Sequence, residues 1–386
     1  MIVCGVIAEY DPFHRGHARH LRLAREKTGA DYLVCVMSGS FTQRGLPALL
    51  PPHGRAEMAL RCGADAVLQL PYAFSVREAE FFALGGVSIL ERLGCVSHLS
   101  FGCETEDISL LKEAADLIER PDEAANSALQ AGLAQGLSFA AAQGRAVESS
   151  LGLPRGALDA PNTALALCYL RALRRLNSGI RPAAILRSGD YRAGELSAAP
   201  SASAVRSALL RGDWAGVEAA VPSEALEPLR RSVREGMCRP DALDGALRAR
   251  LLTASPEDIA QWPGVGEGLE MRILDAAETA VSREALIFRI KTRRYTQGRI
   301  SRALCHGLMG VKKSDLPDLP SSARILGFRE SARPLLRALQ SSGFPLYSRP
   351  ARAPDAALDV RADEMWRIGA GLPRGDTYRR SPVILP

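Results

Sequence analysis

The segment Gly5 to His17, with His14 and His17 flanking Gly16, constrains the fold more than any other part of this chain. Val3 to Ile7 is an apolar run of strand length, and Pro12 stops it. Ala18 to Lys27 then continues with the Ala, Leu and Arg of a helix. A buried strand therefore runs through a turn into a helix, and two histidines fall where the helix begins. Residues three apart share a helix face, so His14 and His17 can address one ligand. A helix start offers free N–H groups and a positive dipole end, which suits phosphate. Gly16 removes a side chain between the two imidazoles. On spacing alone, the pair also fits a metal pair or two surface histidines. No further His/Cys pair stands at ligand spacing, which disfavours zinc.

The strand–helix alternation continues. Asp31–Met37 reads as a second buried strand, followed by the Gly/Ser loop Ser38–Gly45. A helix over Arg55–Cys62 leads to a third strand, Ala66–Leu70, and a helix over Ala79–Leu93 leads to His98–Gly102. This order predicts an α/β fold, a Rossmann-like parallel sheet with helices on both faces. Ligands of such sheets bind at the carboxyl ends of strands, near a topological switch. The loops expected there are Glu9–His17, Ser38–Gly45, Pro71–Phe74 and Gly102–Glu104. From Ala208 the pattern is mainly helical. We therefore expect an ATP-binding domain over 1–207 and a mostly α-helical, basic domain over 208–386.

Composition narrows the class without naming a function. The 386 residues are 47% hydrophobic and 24% charged, ordinary for a globular protein. No apolar run reaches membrane-spanning length and no leader pattern is visible, so the expectation is cytoplasmic and without a membrane partner. The eight cysteines form no CxxC and read as small buried hydrophobes in a reducing compartment. A net charge of +6, carried overwhelmingly by Arg, permits a polyanionic partner. It is also what a GC-rich genome produces.

Five segments taken in order add specificity: Glu9–His17, Met37–Gly45, the Arg55–Leu60 helix, Leu70–Tyr72 and Ser100–Glu104. Together they resemble the bacterial tRNA(Met) cytidine acetate ligase family, within the HxGH nucleotidyltransferase superfamily. The resemblance implies an enzyme that joins acetate to ATP as acetyl-adenylate. The acetyl group would then pass to the wobble cytidine of elongator tRNA(Met), giving N(4)-acetylcytidine. It implies an ATP cradle of Ile7, Ala8, Glu9, Tyr10, Asp11, Pro12, Phe13, His14, Arg15, Gly16, His17, Ala18, Arg19 and His20. Gly102, Asn162, Arg187 and Ser188 are expected on the adenosine side. Ser201, Ser203 and Arg206 are expected to close a helix start over phosphates. His14, His17 and Arg206 are the expected catalytic residues, stabilising charge on the leaving pyrophosphate.

Two positions depart from the family pattern. Asp11 stands where Asn is common, placing negative charge near a triphosphate that Mg²⁺ or arginines would have to offset. Glu9 and Asp11 are the carboxylates nearest to hold Mg²⁺; no protein metal site is expected. Leu50–His53 lacks a Lys often found before the Arg55 helix, and His53 could replace it only when protonated.

In the second half, Trp262–Gly268 is a glycine-rich turn without the Lys-Ser/Thr of a P-loop, and we read it as structural. In Phe288–Arg302 every charge is positive. Read alone, the segment fits either a solvated helix face or an RNA contact with Tyr295 stacking a base. Its Lys-Thr-x-Arg-Tyr-Thr run resembles that of the family, and the resemblance implies Lys291, Arg293, Arg294, Tyr295, Arg299 and Arg302 as the tRNA contacts. Ile300, Leu304 and Leu308 give this segment a core side. Gly375–Pro382 is a second, lesser basic patch, and Ala351–Ala357 reads as a linker. Three other functions fit parts of the chain. An aminoacyl-tRNA-synthetase-like enzyme should carry a KMSKS-type loop, and none is present in the sequence. A small-molecule adenylyltransferase of the pantetheine-phosphate or nicotinamide-mononucleotide type would need no basic helical half. A non-catalytic RNA-binding protein would not need His14, Gly16 and His17 intact.

Overall fold

The computed structural model describes residues 1–137, 139–187, 201–350, 353, 356–373, 375 and 380–386. Five parallel strands form the expected sheet: β1 (Val3–Ala8), β2 (Tyr32–Ser38), β3 (Ala66–Leu70), β4 (His98–Cys103) and β5 (Arg181–Leu186). Their spatial order is β5-β4-β1-β2-β3. β1, β2 and β3 are buried on both faces, which is why they read as continuous apolar runs rather than as alternation. Val34, Val36 and Leu68 point into one core, with helices α3 (Ala79–Arg92) and α4 (Pro161–Arg175) over it. Leu33, Cys35 and Val67 point into the other, under α1 (Arg15–Thr28) and α2 (Pro52–Arg61). Strand order reverses at β1, which pairs with β2 on one side and β4 on the other. The switch point thus lies at the end of the strand that leads to His14.

The sheet does not stop at residue 207. β6 (Ala323–Arg329) pairs antiparallel with β3, and β7 (Leu346–Tyr347) and β8 (Val383–Leu385) both pair with β6. The 207/208 division is therefore not a division of the sheet, because the chain leaves for a helical layer and comes back. Helix α5 (Ala202–Arg211) also packs on the sheet, with Val205 and Leu209 in the same core as Leu21 and Leu60. A separate core holds the helices between Asp244 and Met309 together. It contains Trp262, Ile273, Leu286 and Ile300 and includes α6 (Arg283–Ile290) and α7 (Gln297–Met309). The sequence pattern missed β6 because Arg324 interrupts its apolar run. In the fold that arginine is buried in an ion pair with Asp363 at 2.9 Å. All eight cysteines are free thiols. Among the described residues no helix is long and apolar enough to cross a membrane.

Candidate active site

β1 ends at Ala8, and the chain turns through Tyr10 and Phe13 to His14, which caps α1. The His14 Nδ1 accepts a hydrogen bond from the Gly16 N–H at 3.0 Å. The His17 Nδ1 accepts one from the His14 N–H at 3.3 Å. A backbone N–H can only donate, so each neutral ring carries its proton on Nε2. The rings stack with centroids 3.7 Å apart and planes at 27°. Burial pushes His14 down to about 3 and His20 to about 4, and the positive Arg187 acts in the same direction. His17 is pushed well below its ordinary value, again chiefly by burial. All three imidazoles are therefore neutral at physiological pH.

This arrangement corrects one expectation. The helix start does not offer its Gly16 and His17 N–H groups to a ligand. The first goes to His14 Nδ1 and the second to the His14 carbonyl at 2.9 Å. The imidazoles occupy the cap, and the donors they hold in place are the two Nε2–H groups.

A cleft of about 330 Å³ opens at the carboxyl ends of β1 and β4. Ile7, Ala8, Glu9, Tyr10, Asp11, His17, His20, Gly102, Asn162, Arg187, Ser203 and Arg206 line it, as expected from the sequence. Pro12, Phe13, His14, Arg15, Gly16, Ala18, Arg19 and Ser201 do not. Arg15 and Arg19 turn outward to the carbonyls of Glu218 and Leu186. Ser201 caps α5 by accepting from the Ala204 N–H. Ser188 lies outside the described residues.

Asp11 is held from two sides. Its Oδ1 accepts from the Leu49 N–H at 2.7 Å, and Arg206 lies 3.4 Å from its Oδ2 and 2.6 Å from its carbonyl oxygen. Arg206 thus offsets the extra carboxylate, so its charge is already shared before a phosphate arrives. Glu9 accepts from the Gln43 N–H at 2.6 Å through Oε1, and burial raises its pKa. On the far side, Glu104 accepts from Asn162 Nδ2 at 2.6 Å, and Arg187 reaches Asn162 Oδ1 at 3.4 Å. A Cβ at Gly102 would sit 3.2 Å from the Arg187 stem, so this glycine makes room for Arg187. His53 is buried at the start of α2, held well below its ordinary pKa by burial, and lines a different cavity with Arg324. It cannot replace the missing lysine.

The family model described as HIGH Nucleotidyl Transferase matches residues 1–376. The tRNA(Met) cytidine acetate ligase of Acetivibrio thermocellus is 36% identical, with 90% of this chain and 88% of that protein covered. Its namesake in Clostridium kluyveri is 34% identical over 100% of this chain and 99% of its own. The crystal structure of Thermotoga maritima TmcAL bound with alpha-thio ATP superposes with a TM-score of 0.90 at 29% identity, covering both chains fully. The chain belongs to the tRNA(Met) cytidine acetate ligase family.

In this member of the family, four residues given no role by the sequence pattern support the cleft. Arg55, fully buried, donates to the carbonyls of Leu50 (3.1 Å), Glu9 (2.6 Å) and Gly39. It ties the loops after β1 and β2 to α2. Glu104 positions Asn162, and Arg44 stands exposed on the cleft wall. Arg283 donates to the Gly45 carbonyl at 2.6 Å and the Ser301 carbonyl at 2.7 Å, clamping the Arg44 loop onto α7. Gly45 itself has φ +66°, and a Cβ there would lie 2.7 Å from the Ser301 carbonyl oxygen. An arginine whose partners are loop carbonyls, joined for Arg283 by the Ser301 hydroxyl at 2.8 Å, leaves no local pattern, which is why Arg55 and Arg283 were not legible.

The basic segment of this family member differs from its expected form. Tyr295 is 6% exposed, packed in the helical core, with its hydroxyl donating to the Glu267 carbonyl. It is not available to stack a base. Glu267 ion-pairs with Arg294 (3.1 Å) and Arg299 (3.4 Å), and Arg302 pairs with Glu78 at 3.6 Å. Lys291 and Arg293 remain exposed, with no ion pair among the described residues. The Trp262–Gly268 turn is structural as read, since it delivers Glu267 to these arginines. Residues 376–379 of the Gly375–Pro382 patch lie outside the described residues. Arg380 pairs with Glu235 at 3.0 Å.

Proposed function

We propose that this chain activates acetate with ATP and transfers the acetyl group to the wobble cytidine of elongator tRNA(Met). One observation carries the chemistry: two stacked, neutral imidazoles whose proton positions are fixed by the backbone, at the switch point of the sheet. Family membership supplies the substrates. In the first step an acetate oxygen attacks the α-phosphorus, a P–O bond forms, and the bond to the β-phosphate breaks to release pyrophosphate. His17, backed by His14, donates from Nε2 to the oxygens on which charge develops. Neutral donors suit this role, because no proton has to be recovered after each turnover. Arg187 and Arg44 supply positive charge at the wall, and Arg206 acts mainly by cancelling Asp11. Asn162, oriented by Glu104, positions the adenosine.

In the second step the cytidine exocyclic amine attacks the acetyl carbonyl, the amine loses a proton, and AMP leaves. Mg²⁺ would ride with the triphosphate. Among the described residues no three His, Cys, Asp or Glu side chains gather to hold a metal alone. Glu9 fits as a single supporting carboxylate, since only one of its oxygens is engaged. Lys291 and Arg293 are the exposed cations placed to meet the RNA backbone.

The test is incubation with ATP, labelled acetate and bacterial tRNA, followed by nucleoside analysis for acetylcytidine, with acetyl-CoA as the control donor. Acetate- and ATP-dependent product is expected. Product from acetyl-CoA alone, or none with either donor, would overturn the reading.

A further inference from the structure

With Tyr295 buried, an aromatic that meets an unpaired base must come from elsewhere on the basic surface. Phe288 is 83% exposed on α6, while its neighbours Leu286, Ile287 and Ile290 face the core. The residues around it carry charge of one dominant sign. Arg289, Lys291 and Arg293 are exposed and positive, and Glu284, one turn earlier, is the exposed acid. Lys291 lies three residues on, on the same side of the helix end as Phe288. An exposed phenyl ring leaves apolar surface in water, and the cations that neighbour it in the chain are free to meet an anion. Against RNA both parts find partners, the ring on a base face and the cations on phosphates.

The position is also tied to the cleft. α6 begins at Arg283, which holds the Gly45 carbonyl of the loop that puts Arg44 on the cleft wall. Phe288 stands five residues further along the same helix, roughly 7.5 Å along its axis.

We propose that Phe288 is the base-stacking contact of this protein, taking an unpaired tRNA base while Lys291 and Arg293 hold the adjoining phosphates. The inference rests on the tRNA reading above. The experiment compares tRNA affinity of the unsubstituted protein with that of F288A and F288W across a salt series, with ATP affinity and sedimentation measured alongside. F288A should weaken tRNA binding by about tenfold, the effect of losing one stacked base. Its salt slope should be unchanged, because no charge is removed. F288W should restore binding, and ATP affinity should stay as it was. If F288A binds tRNA like the unsubstituted protein, the stacking proposal falls while the tRNA reading stands. If F288A instead alters self-association and leaves tRNA binding intact, the ring covers a second copy of the chain and the proposal is again overturned. If the unsubstituted protein itself fails to bind tRNA, the functional reading fails and takes the proposal with it.

Discussion

The turn at residues 9–17 and the basic segment at 288–302 were equally visible in the sequence, yet they fared differently in three dimensions. In the turn, the hydrogen bonds that fix the ring tautomers lie within a few residues, although burial and Arg187 set the ring pKa values from outside it. His14 is fixed by Gly16, and His17 by His14. A motif that closes on itself folds as it reads. In the basic segment, the decisive partners are remote. Glu267 neutralises Arg294 and Arg299, the helical core takes Tyr295, and Glu78 takes Arg302. A run of like charges shows which side chains exist, but only the fold shows which remain available.

The largest effect should come from the self-contained site. Replacing His17 with Ala removes the Nε2 donor that the proposed mechanism assigns to the reacting phosphate. It should lower ATP-dependent acetylcytidine formation by about 10²–10³-fold. Initial rates at saturating ATP would measure this, and a rate near that of the unsubstituted enzyme would break the assigned role.

Arg55→Ala should come next, and it acts on stability. Three buried carbonyls lose their donor at once. The expected loss is on the order of 3 kcal/mol in urea unfolding, with weaker ATP binding as the loops separate. A loss below about 0.5 kcal/mol, the range of ordinary surface changes, would show that the loops hold without it.

The neutral imidazoles make a pH prediction with a definite sign. His14 and His20 titrate near 3 and 4 in the folded state, against an ordinary 6.5 once unfolded. The unfolded chain therefore takes up protons first as pH falls. The histidine contribution to stability should be full above about 6.5 and decline steadily toward 4, while Asp359, raised to about 7 by burial, works in the opposite sense over the same range. A pH dependence of the thermal midpoint between about 7 and 4.5 that is unchanged in H20Q would contradict the buried, neutral state.

Gly45→Ala probes the joint between the two regions. The positive φ and the contact with the Ser301 carbonyl predict a cost of about 2 kcal/mol and a displaced Arg44 loop. ATP and tRNA affinities should then fall together. If only one changes, the two regions work independently.

The smallest effects sort the basic residues. Arg293→Ala should weaken tRNA binding a few-fold and reduce the slope of log K against log salt by about 0.7–0.9. Arg294→Ala should do less, because Glu267 already shares its charge. Equal losses would mean that the Glu267 pairs open when RNA binds.

The parallel sheet, its switch point and the cleft walls from Ile7 to Asp11 were legible because buried strands leave unbroken apolar runs and turns leave local marks. Asn162 and Arg187 were found through family resemblance, and both line the cleft. Glu104 lay in a segment marked by the same resemblance, but its pairing with Asn162, 58 positions away, carried no signal. Nor did Arg206 announce that it would serve Asp11, 195 residues away. Phe288 carries no mark of its exposure either, because an aromatic in a helical run gives no sign of which way it faces.

By itself, then, the sequence determined the strand–turn–histidine start, the side of the sheet where a nucleotide would bind, and the family. These rest on interactions between near neighbours and on burial patterns that repeat at short period. The tertiary structure alone decided that the sheet recruits β6 from beyond residue 320, and that Arg55 and Arg283 bind loops rather than ligand. It also decided that Tyr295 is core while Phe288 is surface. Each of those outcomes depends on a partner brought close by folding and not by chain order, and a one-dimensional pattern has no term for such a partner.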